Sequence, residues 1–135
     1  MTFVHHFLDR SLARSPDKPA VISAGRSYSY RYVHDGANRV AAALQRAGVK
    51  RGDRVAILLD NGIEAVISIF GILRAGAVFM VINPQTKRDK FAYVLGNSGA
   101  AAVITARLFA QVYEVALDQA QDCSCASVRC SSALA

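Results

Sequence analysis

The side chains able to carry chemistry in this chain are sparse, and few of them are grouped. His5 and His6 are neighbours, and adjacent helical residues point about 100° apart, so the pair does not close on one metal ion. His34 falls on the polar side of a predicted helix, and all three histidines read as surface residues. Cys123, Cys125 and Cys130 offer three thiolates, whereas structural zinc takes four ligands, with longer spacing between pairs inside a folded knuckle. They read as unstructured thiols. A nucleophilic Ser or Cys needs a base such as His beside it, and no local signature of that kind occurs; Ser98-Gly99 reads as a turn. Asp60 and Glu64, four residues apart at a strand-to-helix junction, have the spacing of a carboxylate pair. An acid near a helix start is also ordinary dipole complementarity, and that is the reading adopted.

Phosphate chemistry needs a glycine-rich turn from strand to helix. Gly71-Ile-Leu-Arg-Ala-Gly76 has the glycine spacing of a P-loop, but Ala77-Val78 stands where Lys and Ser or Thr should follow, and the order is helix to strand. No G-x-G-x-x-G occurs. Sixteen Lys and Arg against ten Asp and Glu give a net charge of +6, which favours anionic partners without naming one. The two local basic groups, Lys50, Arg51, Arg54 and Lys87, Arg88, Lys90, lack interleaved aromatics for base stacking, so a nucleic-acid partner is not expected. The residues by themselves assign no catalytic, cofactor-binding or metal-binding position.

The elements that would position these side chains are easier to read. Phe3, Val4, Phe7, Leu8 and Leu12 recur at helical spacing until Pro16 ends the run. Ala20–Ala24 and Ser27–Tyr30, joined through Gly25-Arg26, predict a β-hairpin with Tyr28 and Tyr30 on one face. Val33, Ala37, Val40, Ala41 and Leu44 define the apolar face of a second helix, capped by Gly48. Val55–Leu59 is apolar without alternation, as in a strand buried on both faces of a parallel sheet, and Ala77–Ile82 repeats that signature before Asn83-Pro84. Between them, Ile63–Leu73 is apolar nearly all round and suits a helix packed on a sheet. Thr86 with Asp89 predicts the N-cap of a further helix, with Phe91, Val94 and Leu95 apolar and Gly96 or Gly99 closing it. Ala101–Thr105 predicts another strand, and Leu108, Val112, Val115 and Ala116 a last helix.

This alternation implies an α/β fold: an open, mainly parallel sheet with helices on both faces, preceded by an N-terminal helix and β-hairpin. At 135 residues, 53% hydrophobic and 19% charged, the chain suits a single core. Residues 1–122 form the α/β unit, and 123–135, small, polar and aperiodic, read as a disordered Cys/Ser-rich tail. Three cysteines without a cationic apolar leader favour a reducing, cytoplasmic setting. The apolar stretch Ala65–Ile82 is not expected to span a membrane, because Arg74 and Gly76 divide it.

Three ordered blocks carry a resemblance. Asp35-Gly-Ala-Asn-Arg-Val-Ala-Ala-Ala-Leu44, Ala47-Gly-Val-Lys-Arg-Gly-Asp-Arg-Val-Ala-Ile-Leu-Leu-Asp-Asn61 and Gly71-Ile-Leu-Arg-Ala-Gly-Ala-Val-Phe-Met-Val-Ile-Asn-Pro84 resemble the N-terminal region of adenylate-forming enzymes, over about residues 5 to 118. That family includes acyl-CoA synthetases and enzymes that load carrier proteins. The resemblance implies a part of a larger adenylate-forming fold. In the complete enzyme it implies ATP, Mg and a small carboxylic or amino acid substrate, with acyl transfer to CoA or phosphopantetheine. Asn83-Pro84 with Gln85-Thr-Lys87 looks closer to members that serve carrier proteins. The family's Ser/Thr/Gly-rich phosphate loop ending in Pro-Lys-Gly and its later adenine, ribose and lysine motifs do not occur in these residues. No catalytic residue is carried over, and no cofactor is expected for this chain alone. The departure from the family pattern after Asp122 suggests early termination or a shifted reading frame. A second reading is a stand-alone, non-catalytic module that self-associates or pairs with a complementary polypeptide through uncovered sheet; a third is an unrelated flavodoxin-like binder.

Overall fold

The computed structural model describes residues 1–109 and 126–129. The chain opens with α1 (His5–Arg14), followed by β1 (Pro19–Ser23) and β2 (Arg26–Ser29), an antiparallel pair. Ala24 and Gly25 turn between them, both at positive φ (50° and 75°), as a tight hairpin turn twisted with its strands requires. Tyr30 does not extend β2 beside Tyr28. It is the first residue of α2 (Tyr30–Arg46), because the Ser29 hydroxyl accepts the Tyr32 backbone N–H at 3.2 Å and starts the helix there.

Beyond α2 the order is β3 (Arg54–Leu58), α3 (Ile63–Arg74), β4 (Val78–Val81), α4 (Arg88–Ser98) and β5 (Ala102–Thr105). A short 3₁₀ turn (Arg107–Phe109) and β6 (Ala126–Arg129) complete the described elements. α4 begins one residue later than expected from Thr86: Lys87 is its N-cap, without a side-chain cap, and Asp89 lies in the first turn. Gly99, left-handed at φ 63°, closes it, so Ser98 is the helix's last residue. The remaining four strands form one parallel sheet in the order β4-β3-β5-β6. Val112, Val115, Ala116 and the three cysteines lie outside the described residues. Within the stretch read as an aperiodic tail, Ala126–Arg129 pairs alongside β5.

Helices cover both faces. Val55, Ile57, Ala102 and Ile104 point to a core closed by α2 and α3 through Val33, Ala37, Val40, Leu44, Ile67 and Ile72. Ala56, Leu58 and Val103 point the other way, onto Phe91 and Leu95 of α4. Packing between α2 and α3 is close enough to need glycine. A Cβ on Gly71 would stand 2.5 Å from Val40 Cβ, and one on Gly36 would stand 2.9 Å from Ile67 Cδ1. The burial expected of β4 also fails. β4 carries the same apolar run as β3 yet is the edge strand, with Val78, Phe79 and Val81 exposed at 49%, 37% and 60%. Strand order, which composition does not encode, decides that difference.

Candidate functional site

β3 and β5 are neighbours whose continuations diverge. The chain leaves β3 through Leu59-Asp60-Asn61-Gly62 into α3 and on to β4, whereas the other neighbour of β5 is β6. A crevice outside the carboxyl ends of parallel strands, at such a point of divergence, is where open α/β sheets bind ligands. Here it is a cavity of about 550 Å³ between the ends of β3 and β5, with the hairpin turn at Ser23 and Ala24 as a third wall. Leu59, Ala106, Leu108 and Phe109 supply its apolar lining. Asp60, Asn61 and Glu64 supply polar groups.

The carboxylate pair noted from spacing is thus brought to one cavity, at the start of α3. Gly62 precedes the helix, and a Cβ there would make ordinary contacts, 3.4 Å from Glu64 Oε2 and 3.6 Å from Ser23 Oγ. Glu64 occupies the first turn of α3 and complements its positive end. Among the described residues neither Asp60 nor Glu64 has an ion-pair partner. Two carboxylates without an ion-pair partner oppose the triphosphate of ATP, and among the described residues no glycine-rich phosphate cradle lines the cavity. These residues therefore do not fit ATP, and among the described residues no cluster of three or more His, Cys, Asp or Glu could hold a metal ion.

The remaining candidates are scattered by the fold. Arg54 Nη1 donates to the Ser98 carbonyl at 2.7 Å, tying β3 to the end of α4. The Lys50 backbone N–H donates to Asp53 Oδ2 at 2.8 Å and closes the turn before β3. His34 is only partly exposed: Nε2 lies 3.5 Å from Asp9 Oδ1, and Nδ1 lies 3.4 Å from Asp35 Oδ1. Asp9 also receives Arg74 Nη2 from the last turn of α3. Burial acts to raise the Asp9 carboxyl, but the Arg74 hydrogen bond and charge, with His34 and His5 beyond, outweigh it and hold Asp9 below the usual carboxylate range. No sequence signal pointed to this triad, because its members come from α1, α2 and α3 and Asp9 and Arg74 are 65 positions apart.

The model of the AMP-binding enzyme family matches residues 8–134, nearly the whole chain. The chain belongs to the AMP-binding enzyme family. Bacitracin synthase 1 of Bacillus licheniformis is 36% identical over 102 residues, covering 76% of this chain and 2% of that protein. The long-chain-fatty-acid–CoA ligase of Escherichia coli O157:H7 is 34% identical over 112 residues, covering 82% of this chain and 20% of the ligase. Among solved structures, an anthranilate CoA ligase in complex with anthranoyl-AMP superposes with a TM-score of 0.83 at 28% identity, over 92% of this chain and 24% of that one. The chain thus spans a fifth or less of these curated relatives. The family match continues beyond about residue 118, where the resemblance carried by the sequence blocks ends. Among the described residues no helix is long and apolar enough to cross a membrane.

Proposed function

We propose that this chain forms the N-terminal α/β part of an ATP-dependent ligase. That ligase joins a small carboxylic or amino acid to the α-phosphate of ATP with release of pyrophosphate, and then passes the acyl group to the thiol of CoA or a carrier protein with release of AMP, in a reducing, cytoplasmic setting. The observation that carries the reading is the family match over residues 8–134. Support comes from relatives of both kinds, a peptide synthase and a CoA ligase.

In this reading the chain is scaffold. Stabilising the charge of a transferring phosphate and acyl oxygen takes donors, a metal and a lysine placed around the reacting atoms. The 135 residues hold no Pro-Lys-Gly phosphate loop, and the crevice beside α3 opposes polyphosphate. The reacting groups are therefore met by residues outside this chain, and its own contribution is the sheet and its crevice. Alone it is inactive and takes neither ATP nor Mg.

Carboxylate-dependent ATP–pyrophosphate exchange tests this. The 135-residue chain should show none by itself. Grafted in place of the matching segment of the Escherichia coli long-chain ligase, it should restore exchange well above buffer. A folded chimera without exchange, or exchange at enzyme-like rates by the chain alone, would refute the proposal.

A second reading has one observation in its favour. The β4 edge leaves Val78, Phe79 and Val81 exposed, as a strand does when it is built to be paired. On that reading the chain self-associates or joins a complementary polypeptide through this edge. A monomer at all concentrations by light scattering, unchanged by Val81→Lys, excludes self-association and weakens the case for a complementary polypeptide.

A further inference from the structure

At the amino ends of the strands, opposite the crevice, lies a second cavity of about 470 Å³. It is walled by the start of α1, the end of α3 and the turns that lead into β3 and β4. Its chemistry differs from that of the crevice: the ionisable side chains lining it are His5, His6, Arg51 and Arg74, with no carboxylate among the lining residues. Phe3, Val4, Leu73 and Ala77 give it an apolar wall.

The fold brings these side chains together from distant positions. Gly76, left-handed at φ 78°, reverses the chain after α3, and a Cβ there would meet Arg51 Cγ at 3.3 Å, so the Arg51 stem lies across the glycine. Arg74 Nη2 bonds Asp9, while its buried Nε has no partner among the described residues. The Phe3 backbone N–H donates to His6 Nδ1 at 3.2 Å, which leaves Nε2 of that ring as a donor. The Phe3 ring stacks on His5 with centroids 5.7 Å apart and planes 4° apart. Two guanidinium groups and two imidazoles beside an apolar wall suit a group with several anionic oxygens on a small hydrophobic body.

We propose that this cavity binds a small organic phosphate, the phosphoryl oxygens facing Arg51, Arg74 and the two histidines and the apolar body lying against Phe3 and Leu73. The electrostatics agree. Burial first, then the charges of His6 and Arg74, push the His5 imidazole below its ordinary value, with only Asp9 acting the other way. Only the part due to the His6 and Arg74 charges reports a positive field at the site, and by linkage an anion bound there raises the His5 value again.

The test is an NMR titration of the 135-residue chain with phenyl phosphate, following the His5 ring protons across pH. Saturation should raise the His5 pKa by about 0.5–1 unit. Inorganic phosphate should bind about tenfold more weakly, because the apolar contact is missing. Arg51→Gln, at an exposed position, should weaken phenyl phosphate about fivefold or more while leaving the circular dichroism spectrum unchanged. Benzoate binding as tightly as phenyl phosphate would overturn the phosphate assignment. A His5 pKa that does not move, or that moves equally with sodium chloride at matched ionic strength, would overturn the site itself. None of these readouts depends on adenylate formation.

Discussion

Replacing Gly71 with alanine tests the packing of α2 on α3, on which the larger core depends. The added Cβ would sit 2.5 Å from both Val40 Cβ and Val40 Cγ1 and 3.1 Å from the Ala37 carbonyl oxygen. That is about 1 Å inside ordinary carbon contact. Val40 Cβ is fixed to the α2 backbone, so the helices must part or shear, which places this overpacking in the upper part of its usual range, about 2–3 kcal/mol. Alanine's better helix propensity returns about 1 kcal/mol. The net expectation for Gly71→Ala is a loss of about 1–2 kcal/mol, read as a lower urea midpoint at unchanged m. Two glycines serve as internal controls. Gly36→Ala meets branch atoms of the Ile67 side chain, which can adjust in part, so its loss should be smaller. Gly96→Ala, exposed in α4 with nothing within 4 Å, should gain about 0.5–1 kcal/mol. Adding Val40→Ala should relieve part of the Gly71→Ala strain, with a coupling of about 0.5 kcal/mol or more. If Gly71→Ala is as stable as the parent, or the order of the three alanine variants is reversed, the close approach of α2 and α3 is wrong.

Two further outcomes are expected. Phe91 is fully buried between α4 and the second sheet face, so Phe91→Ala should cost about 3–5 kcal/mol in the same unfolding assay. A loss below 1 kcal/mol would mean that α4 does not cover that face. Asp9 has a depressed carboxyl pKa, so its stabilising contribution is present above the ordinary carboxylate range and fades as pH falls through the folded value. Asp9→Asn should therefore be less stable than the parent at pH 7 and converge with it under acid. Parallel pH–stability curves would show that the Asp9–Arg74–His34 cluster contributes nothing.

Much of the fold is local in origin and was legible before any coordinates. The apolar spacing of Val33, Ala37, Val40, Ala41 and Leu44 commits α2 and its buried face, because a helix places those positions on one stripe. The unbroken apolar run from Val55 announces a strand covered on both sides, and β3 is buried from Val55 to Leu58. Family membership is likewise legible in three ordered blocks of residues. Other features depend on which element lies beside which. Val78–Val81 reads like β3 but sits at the sheet edge, because strand order sets burial and a short apolar run carries no record of its neighbours. The Ser29 cap, competing with strand extension, takes Tyr30 into α2. Asp60 and Glu64 acquire a cavity only where β3 and β5 diverge, and His5, His6, Arg51 and Arg74 share one only where α1 meets the end of α3. Local periodicity determines which residues face inward. The cavities, the edge and the charge clusters are products of long-range docking, which brings together side chains that are far apart in the sequence.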